Sequence, residues 1–444
     1  MNGTYETRKS VGAKVAFLGL FVAALLAARL IVALRSAVVL SEPIALTHAG
    51  LSVSMPDGNG WRSAKRWEYK ENSLVLGSIF APGSGRPIGS AHCRYVFAAE
   101  TTSPQMRFEQ ERLEVDGKIV KTDLTQIGAF AVDWVHIQKR SVSFNMFFGT
   151  AELPYDRQIE IEVWESTGNV DSVGRVFRRI TESLELTDSP LLDAGSQVIA
   201  EMKSKGLDSF LDNQNRQTLF LIKDVREQAL GFTADVLIVS GKATPLNIEA
   251  AGLYYIGGFY AREQIMSFES DNRFDRFIWK SETVAASRRG TKISLDETGT
   301  LTITKFGEQP RENRYRSSPV AIPGTLLEQL LRQMLDSDKK EIIVDLIEPG
   351  GRIIPTYISR IEAEDIAPQE EVWRMVKLTP LDGKGFFQWV YLDNQKQISK
   401  ILVREEEIYI YERADPEEAA RLFPERAEYI LQSDKLERYL RERK

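Results

Sequence analysis

Apolar residues along this chain follow three rhythms. The first has no period. Val15 to Ala28 reads VAFLGLFVAALLAA, free of charge and bracketed by Lys14 and Arg29. The run is short for a hydrocarbon layer of ~30 Å. Cationic stems that reach outward lengthen it to Val11–Ile31. This pattern predicts a single transmembrane helix within residues 11–34, continuing through LIVAL and ending before Pro43. Arg8, Lys9 and Lys14 outweigh Glu6 ahead of the span, so residues 1–14 are expected in the cytoplasm and the bulk outside it. The alternative is a cleaved signal peptide with its cut after Ala49. That site lies far from the apolar run, so a retained signal-anchor in the inner (plasma) membrane, with a periplasmic or extracytoplasmic bulk, is the reading kept.

The second rhythm is helical. Val173, Val176, Phe177, Ile180 and Leu184 form one stripe, with Arg175, Arg178, Arg179 and Glu182 facing out. Ser103-Pro104 opens a helix over Gln105–Val115. Ser189-Pro190 opens another, striped by Val198, Ile199 and Met202 and stopped at Gly206. The broadest stripe is Leu326, Leu327, Leu330, Leu331, Met334 and Leu335, behind Pro323-Gly324 and a capping-box pattern from Thr325 to Glu328. Asp415-Pro416 caps a helical tail, whose second helix, Glu425 to Glu442, carries Tyr429, Leu436, Tyr439 and Leu440.

The third rhythm is alternation. Between residues 50 and 188 strand-like runs fall at Leu74–Phe80, Cys93–Ala98, Ala129–Gln138, Val142–Phe148 and Ile159–Trp164. From Thr218 to Tyr411 a long series of such runs is separated by turn chemistry at Asp296–Gly299, Pro349-Gly350-Gly351, Asp382–Gly385 and Asp393-Asn394. At 444 residues more than one domain is expected. The fold class predicted is α+β. A transmembrane helix leads to an antiparallel-sheet α/β/α domain at 50–188 and a helical connector at 190–212. An antiparallel β-meander or open barrel follows at 213–414, with a covering helix, and then a C-terminal helical tail at 415–444.

The opening LSVSMPDGNGW and the closing VFRRITESLEL of the first domain resemble the PsbP-like α/β/α fold over residues 50–188. That resemblance implies a binding module and transfers no functional residue. The meander with its single apolar helix resembles the LolA/LolB-type open barrel with a helical lid over residues 216–413, an architecture that carries lipid-linked clients in bacterial envelopes. It implies that Leu326, Leu327, Leu330, Leu331 and Met334 form a lid or groove helix over an apolar cavity. The plain alternative is that they fill the concave face as core.

Composition narrows the chemistry. A formal charge of −6 and a pI near 5.5 argue against a nucleic-acid footprint. The densest basic stretch, Arg311, Arg314 and Arg316 after Arg288 and Arg289, encloses Glu312 and reads as a solvated loop. Cys93 is the sole cysteine, so no intramolecular disulfide forms. His48, His92 and His136 are dispersed, and His92 and Cys93, as strand neighbours, point to opposite faces. Gly83-x-Gly85-x-x-x-Gly89 contains Pro87 and leads into a strand, which a dinucleotide fingerprint does not. Gly241-Lys242 follows Val236 and precedes Ala243, where a P-loop needs glycine and a hydroxyl. Glu405-Glu406-Glu407 reads as a polar turn. No catalytic, metal or cofactor residue is nominated, and no cofactor is expected. The expected function is a membrane-anchored envelope protein that binds or scaffolds a protein partner. The alternatives are a carrier or sensor of a lipid or other apolar ligand in the C-terminal half-barrel, and a hydrolase using an acid pair.

Overall fold

The computed structural model describes residues 17–27, 38–46, 50–58, 60–62, 67–68, 73–80, 87–96, 103–128, 130–139, 143–155, 157–166, 169–209, 216–240, 246–257, 260–283, 289–307, 310–361, 374–381, 387–404 and 407–431. Expectations placed on Lys14, Arg29, His48, Gly83, Gly85, Gly241, Lys242, Ala243, Arg288, the 382–385 turn, Glu405, Glu406 and the tail beyond residue 431 lie outside the described residues. Residues 17–27 form a helix, α1, exposed at every position. No helix among the described residues is long and apolar enough to cross a membrane, and the expected span of 11–34 extends past both ends of α1.

The N-terminal part is a layered unit. A small sheet joins β1 (Ile44–Leu46), β2 (Leu51–Val53) and β11 (Glu185–Leu186). The main sheet uses β3 (Trp61–Arg62), β4 (Trp67–Glu68), β5 (Ser73–Phe80), β6 (Pro87–Val96), β7 (Gly117–Ile127), β8 (Phe130–Lys139), β9 (Asn145–Leu153) and β10 (Arg157–Glu165). Its order is β3-β5-β6-β10-β9-β8-β7, with β4 also on β5 and every pair antiparallel. Both faces are covered, so β8 is apolar in both phases. Phe130 and Val132 face helix α3 (Val170–Glu182), whose stripe Val173, Val176, Phe177 and Ile180 shares their core. Val135 and Ile137 face helix α2 (Pro104–Glu114), which inserts Phe108 among them. Ser103 caps α2 by accepting from the Met106 N–H at 3.4 Å, as the Ser-Pro pair predicts.

The C-terminal part is a single 15-stranded sheet. One arm is β12 (Arg216–Lys223), β13 (Ala229–Ser240), β14 (Leu246–Ile256), β15 (Tyr260–Ser270), β16 (Phe277–Thr283), β17 (Arg289–Leu295), β18 (Thr300–Phe306) and β19 (Arg311–Arg316). The other is β20 (Ala321–Pro323), β21 (Glu341–Ile347), β22 (Ile353–Ile361), β23 (Arg374–Pro380), β24 (Phe387–Leu392), β25 (Ile398–Arg404) and β26 (Ile408–Arg413). β12 pairs with β26, and the strands then run outward in ascending order to β19 at one end and in descending order to β20 at the other. Laid flat, those ends would stand roughly 65 Å apart at ~4.8 Å per strand. Residues 317–320 are all that join β19 to β20, and a chain that short spans at most about 18 Å. The sheet is therefore curled on itself as an open barrel.

Helices α4 (Pro190–Lys205) and α5 (Leu327–Asp336) fill the concave side. Their stripes share one core with Trp279, Ile293 and Ile303 of one arm and Ile342, Val344, Ile358, Val376 and Val390 of the other. Helices α6 (Pro416–Leu422) and α7 (Ala427–Leu431) take the opposite face. β14 shows why. Leu246 and Ile248 belong to the α4–α5 core, whereas Leu253 and Tyr255, in the other phase, pack with Phe423 and Ile430. No register shift interrupts β14, so the two cores lie on opposite sides of the sheet.

Three expectations need correction. Arg311, Arg314 and Arg316 lie in β19, an edge strand, rather than in a loop, because pairing with β18 satisfies that backbone while the guanidinium groups stay at the surface. The capping box before α5 does not form. Residues Gly324–Leu326 tighten into a 3-10 turn with no side-chain cap, and Glu328 instead pairs with Arg332 one turn on. The connector α4 is part of the concave core, with Val198 and Met202 fully buried.

Candidate functional site

The five residues nominated from sequence lie together on the inside of the curled sheet. Leu326, Leu330, Leu331 and Met334 have no exposed surface, and Leu327 is half-buried against the same core. They meet strands from both arms, so α5 fills the space between the arms. Glu328 and Arg332 on its outer side pair with each other, and Arg332 Nε donates to the Lys396 carbonyl at 2.8 Å.

Beyond this plug the concave face turns polar. A cleft of about 470 Å³ is lined by Gln264, Ser281, Thr283, Arg289, Thr291 and Lys305, with Pro349 and Gly350 of the β21–β22 turn as its rim. The registers Gln264↔Thr283↔Arg289 and Ser281↔Thr291↔Lys305 place these side chains in two rows across the strands. Gln264 donates to Ser281 at 2.6 Å, which uses part of the polar surface internally.

A larger groove, of about 800 Å³, lies between α3 and the β7–β8 hairpin. Trp134, Phe147 and Phe177 contribute aromatic walls, with ring centroids 5.8–6.4 Å apart. The Trp134 indole N–H donates to Thr125 Oγ1 at 3.0 Å, which fixes the ring against the hairpin. Gly174 sits mid-helix over this floor. A Cβ there would stand 3.1 Å from Phe147 Cζ, so the glycine keeps α3 close to the ring. Arg175 and Arg178 line the rim, exposed and one turn apart, while neighbouring Arg179 is held by Glu182 at 3.1 Å. The groove thus offers flat apolar surface beside two guanidinium groups, which stack on rings and grip carboxylates, with Asp171 and Glu182 also on its lining. Sequence reasoning placed these arginines on the outer face of α3 but did not join them to Trp134. Gly174 inside a strong helical stripe was the available signal, since a glycine there costs about 0.5–1 kcal/mol relative to alanine.

Carboxylates do gather, but elsewhere. Under α2, Arg107 Nε lies 2.8 Å from Glu160 Oε1 and its other end pairs with Glu111, while Arg94 approaches Glu160 at 3.7 Å. Burial pushes Glu111 up to about 7 despite the attraction of Arg107, and does the same to Glu162. None of these residues lines either cleft. His92 bonds Ser90 at 2.6 Å on one face of β6, and Cys93 is buried in the core on the other, where burial raises its thiol. His136 is held by Asn145 at 3.1 Å and stacked on Phe147. Among the described residues no group of three or more histidine, cysteine, aspartate and glutamate side chains is arranged to hold a metal ion.

No protein-family model matches this chain, and no curated protein matches it. Among solved structures it is similar to a β-barrel-like protein of domain of unknown function DUF1849 from Brucella abortus, at a TM-score of 0.36 and 10% identity over 46% of this chain and 98% of that one. A Bacteroides thetaiotaomicron protein gives a TM-score of 0.21 and 14% identity, over 38% of this chain and 61% of that one. Likeness of this degree carries no functional argument, and the site has to speak through its own chemistry.

Proposed function

We propose that this chain is a membrane-anchored, extracytoplasmic binding protein whose recognition site is the groove between α3 and the β7–β8 hairpin. The observation that carries the reading is the contrast between the two halves. The apolar part of the long sheet's concave side is filled by α4 and α5 and its remaining cleft is polar, whereas the groove beside Trp134 is open, walled by aromatic rings and within the ~300–1,000 Å³ range of ligand sites. An apolar-ligand carrier built on the long sheet would first have to displace α5. The helix–sheet–helix layering supports a PsbP-like reading of residues 50–188, and the curled sheet with its internal helix supports a LolA/LolB-type reading of residues 216–413. The anchor reading is supported by α1. Phe17, Leu18, Leu20, Phe21, Leu25 and Leu26 are 51–73% exposed, a surface that water disfavours and a bilayer accepts.

The groove's chemistry suits a partner-protein segment that offers an aromatic or aliphatic side chain beside an acidic one. Binding of peptides carrying a Phe or Leu next to Asp or Glu, read by fluorescence anisotropy, is expected to weaken about tenfold or more in Trp134→Ala and in Arg175→Glu/Arg178→Glu. Peptide affinity that is the same in both variants removes the groove from consideration. Reporter fusions after Ser10 and after Gly50 test the topology, with a cytoplasmic and an extracytoplasmic signal expected in turn. A mature N-terminus near residue 50 would instead show that the segment is cleaved.

A further inference from the structure

The large sheets end in unlike edges. β19 carries Arg311, Arg314 and Arg316 with Glu312 between them paired to Arg314, a charged edge of the kind that discourages strand addition. β20 has three residues and β3 two. β7 is different. It is an 11-residue edge strand, exposed along most of its length, and among the described residues no strand lies on its outer side. It presents Val120 and Leu124, 51% and 61% exposed, around Lys121 and Asp123.

We propose that β7 pairs antiparallel with β7 of a second copy of this chain, about a two-fold axis through Thr122. In that register Lys121 of each copy lies opposite Asp123 of the other. Val120 of each lies beside Leu124 of the other, and Thr122 meets itself. Charge selects the occupant. A segment that reads apolar, plus, neutral, minus, apolar is its own complement when reversed, and no other chain need be invoked to match it. Moving the axis to either side of Thr122 loses this: shifted half a residue toward Asp123, it sets Lys121 against Leu124. Opposite charges directly across an antiparallel pair stabilise it, and like charges there oppose it. A two-fold interface doubles each contact. In the single chain Lys121 Nζ already lies 2.9 Å from Asp123 of the same strand, so both charges are on one face and poised for their counterparts. The register passes from Ile119↔Ile137 to Lys121↔His136, so Val120 is the extra residue of a bulge, which limits the regular pairing to Lys121–Asp123 with Val120 and Leu124 at its ends.

Sedimentation equilibrium of the full chain in detergent micelles tests this. The wild-type chain is expected to dimerise. Lys121→Asp sets acids opposite acids, Asp123→Lys sets lysines opposite lysines, and each alone should raise the dimer Kd roughly tenfold or more. Both positions are exposed, so melting temperatures should hold. An equimolar mixture of the two variants sets an acid opposite a lysine at every position and should recover wild-type affinity. A monomeric wild type overturns the proposal. So do single variants that associate as tightly as wild type, which would place the contact in α1 or elsewhere, and so does a mixture no tighter than its parts.

Discussion

Burial acts on Glu111 and Glu162 more strongly than the nearby Arg107 does. Glu162 rises from an ordinary 4.5 to about 7, chiefly because ionising it under the helix removes a charge from water. Glu111 does the same. Folded chains therefore hold protons that unfolded chains release between about pH 4.5 and pH 7, and stability falls as pH rises through that window. Glu162→Gln cannot ionise, so it should flatten part of the fall and leave the variant about 1–3 kcal/mol more stable than wild type at pH 8. Thermal melts at intervals from pH 5 to pH 8 read the difference, and parallel curves for both proteins would show that Glu162 is ionised at no cost. This cluster was invisible in the sequence because it joins Arg107 to Glu160, which lie 53 positions apart, and alternation says only which face each strand residue takes. Gly195 was hidden for the same reason. Sequence placed it inside a helix, but its role is close approach: a Cβ there would stand 2.1 Å from the Ile343 carbonyl oxygen, so only glycine lets α4 lie against β21.

Helical stripes were the most legible elements. The stripes of α3, α4 and α5 are buried where their periodicity placed them, because 3.6-residue spacing states directly which face leaves water. The Asp415 cap of α6 was equally local, with its carboxylate accepting from the Glu417 and Glu418 N–H groups at 2.8 and 3.3 Å. What the helix stripe left open was whether α5 is a plug or a lid, since both bury leucines. Packing against both arms of the sheet favours the plug. Leu330→Ala should then cost about 2–5 kcal/mol by opening a cavity that rigid neighbours cannot close. Urea melts measure this, and a loss below about 1 kcal/mol would mean that the helix lies loosely and the seat is already roomy. β19 was the least legible element, because RENRYR has no apolar alternation and owes its strand geometry to hydrogen bonds with β18.

At the scale of the molecule, the sequence suggested two units meeting near Asp188 to Gly195, and we propose that boundary as the fold's hinge in energy rather than in space. Among the described residues, a buried charged contact joins the units. Arg157, at the start of β10, forms an ion pair with Asp345 of β21, and both are almost fully buried. Ser318 donates to the same carboxylate oxygen, while the second oxygen has no partner. Ile353 packs against the cores of both units beside it. An ion pair so deep gains stability only while both charges remain, and removing one leaves the other uncompensated at about 3–5 kcal/mol. Arg157→Met should therefore weaken the long sheet, which keeps the stranded carboxylate, more than the layered unit, which loses a cation. Scanning calorimetry is expected to show one transition for the wild-type chain and two for Arg157→Met, the lower belonging to the long sheet. Adding Asp345→Asn removes the buried charge, so it should raise that lower transition again without merging the two. Separate pieces 50–188 and 190–444 whose melts simply sum to the intact trace would show that the pair couples nothing, and that the units share a chain without sharing stability.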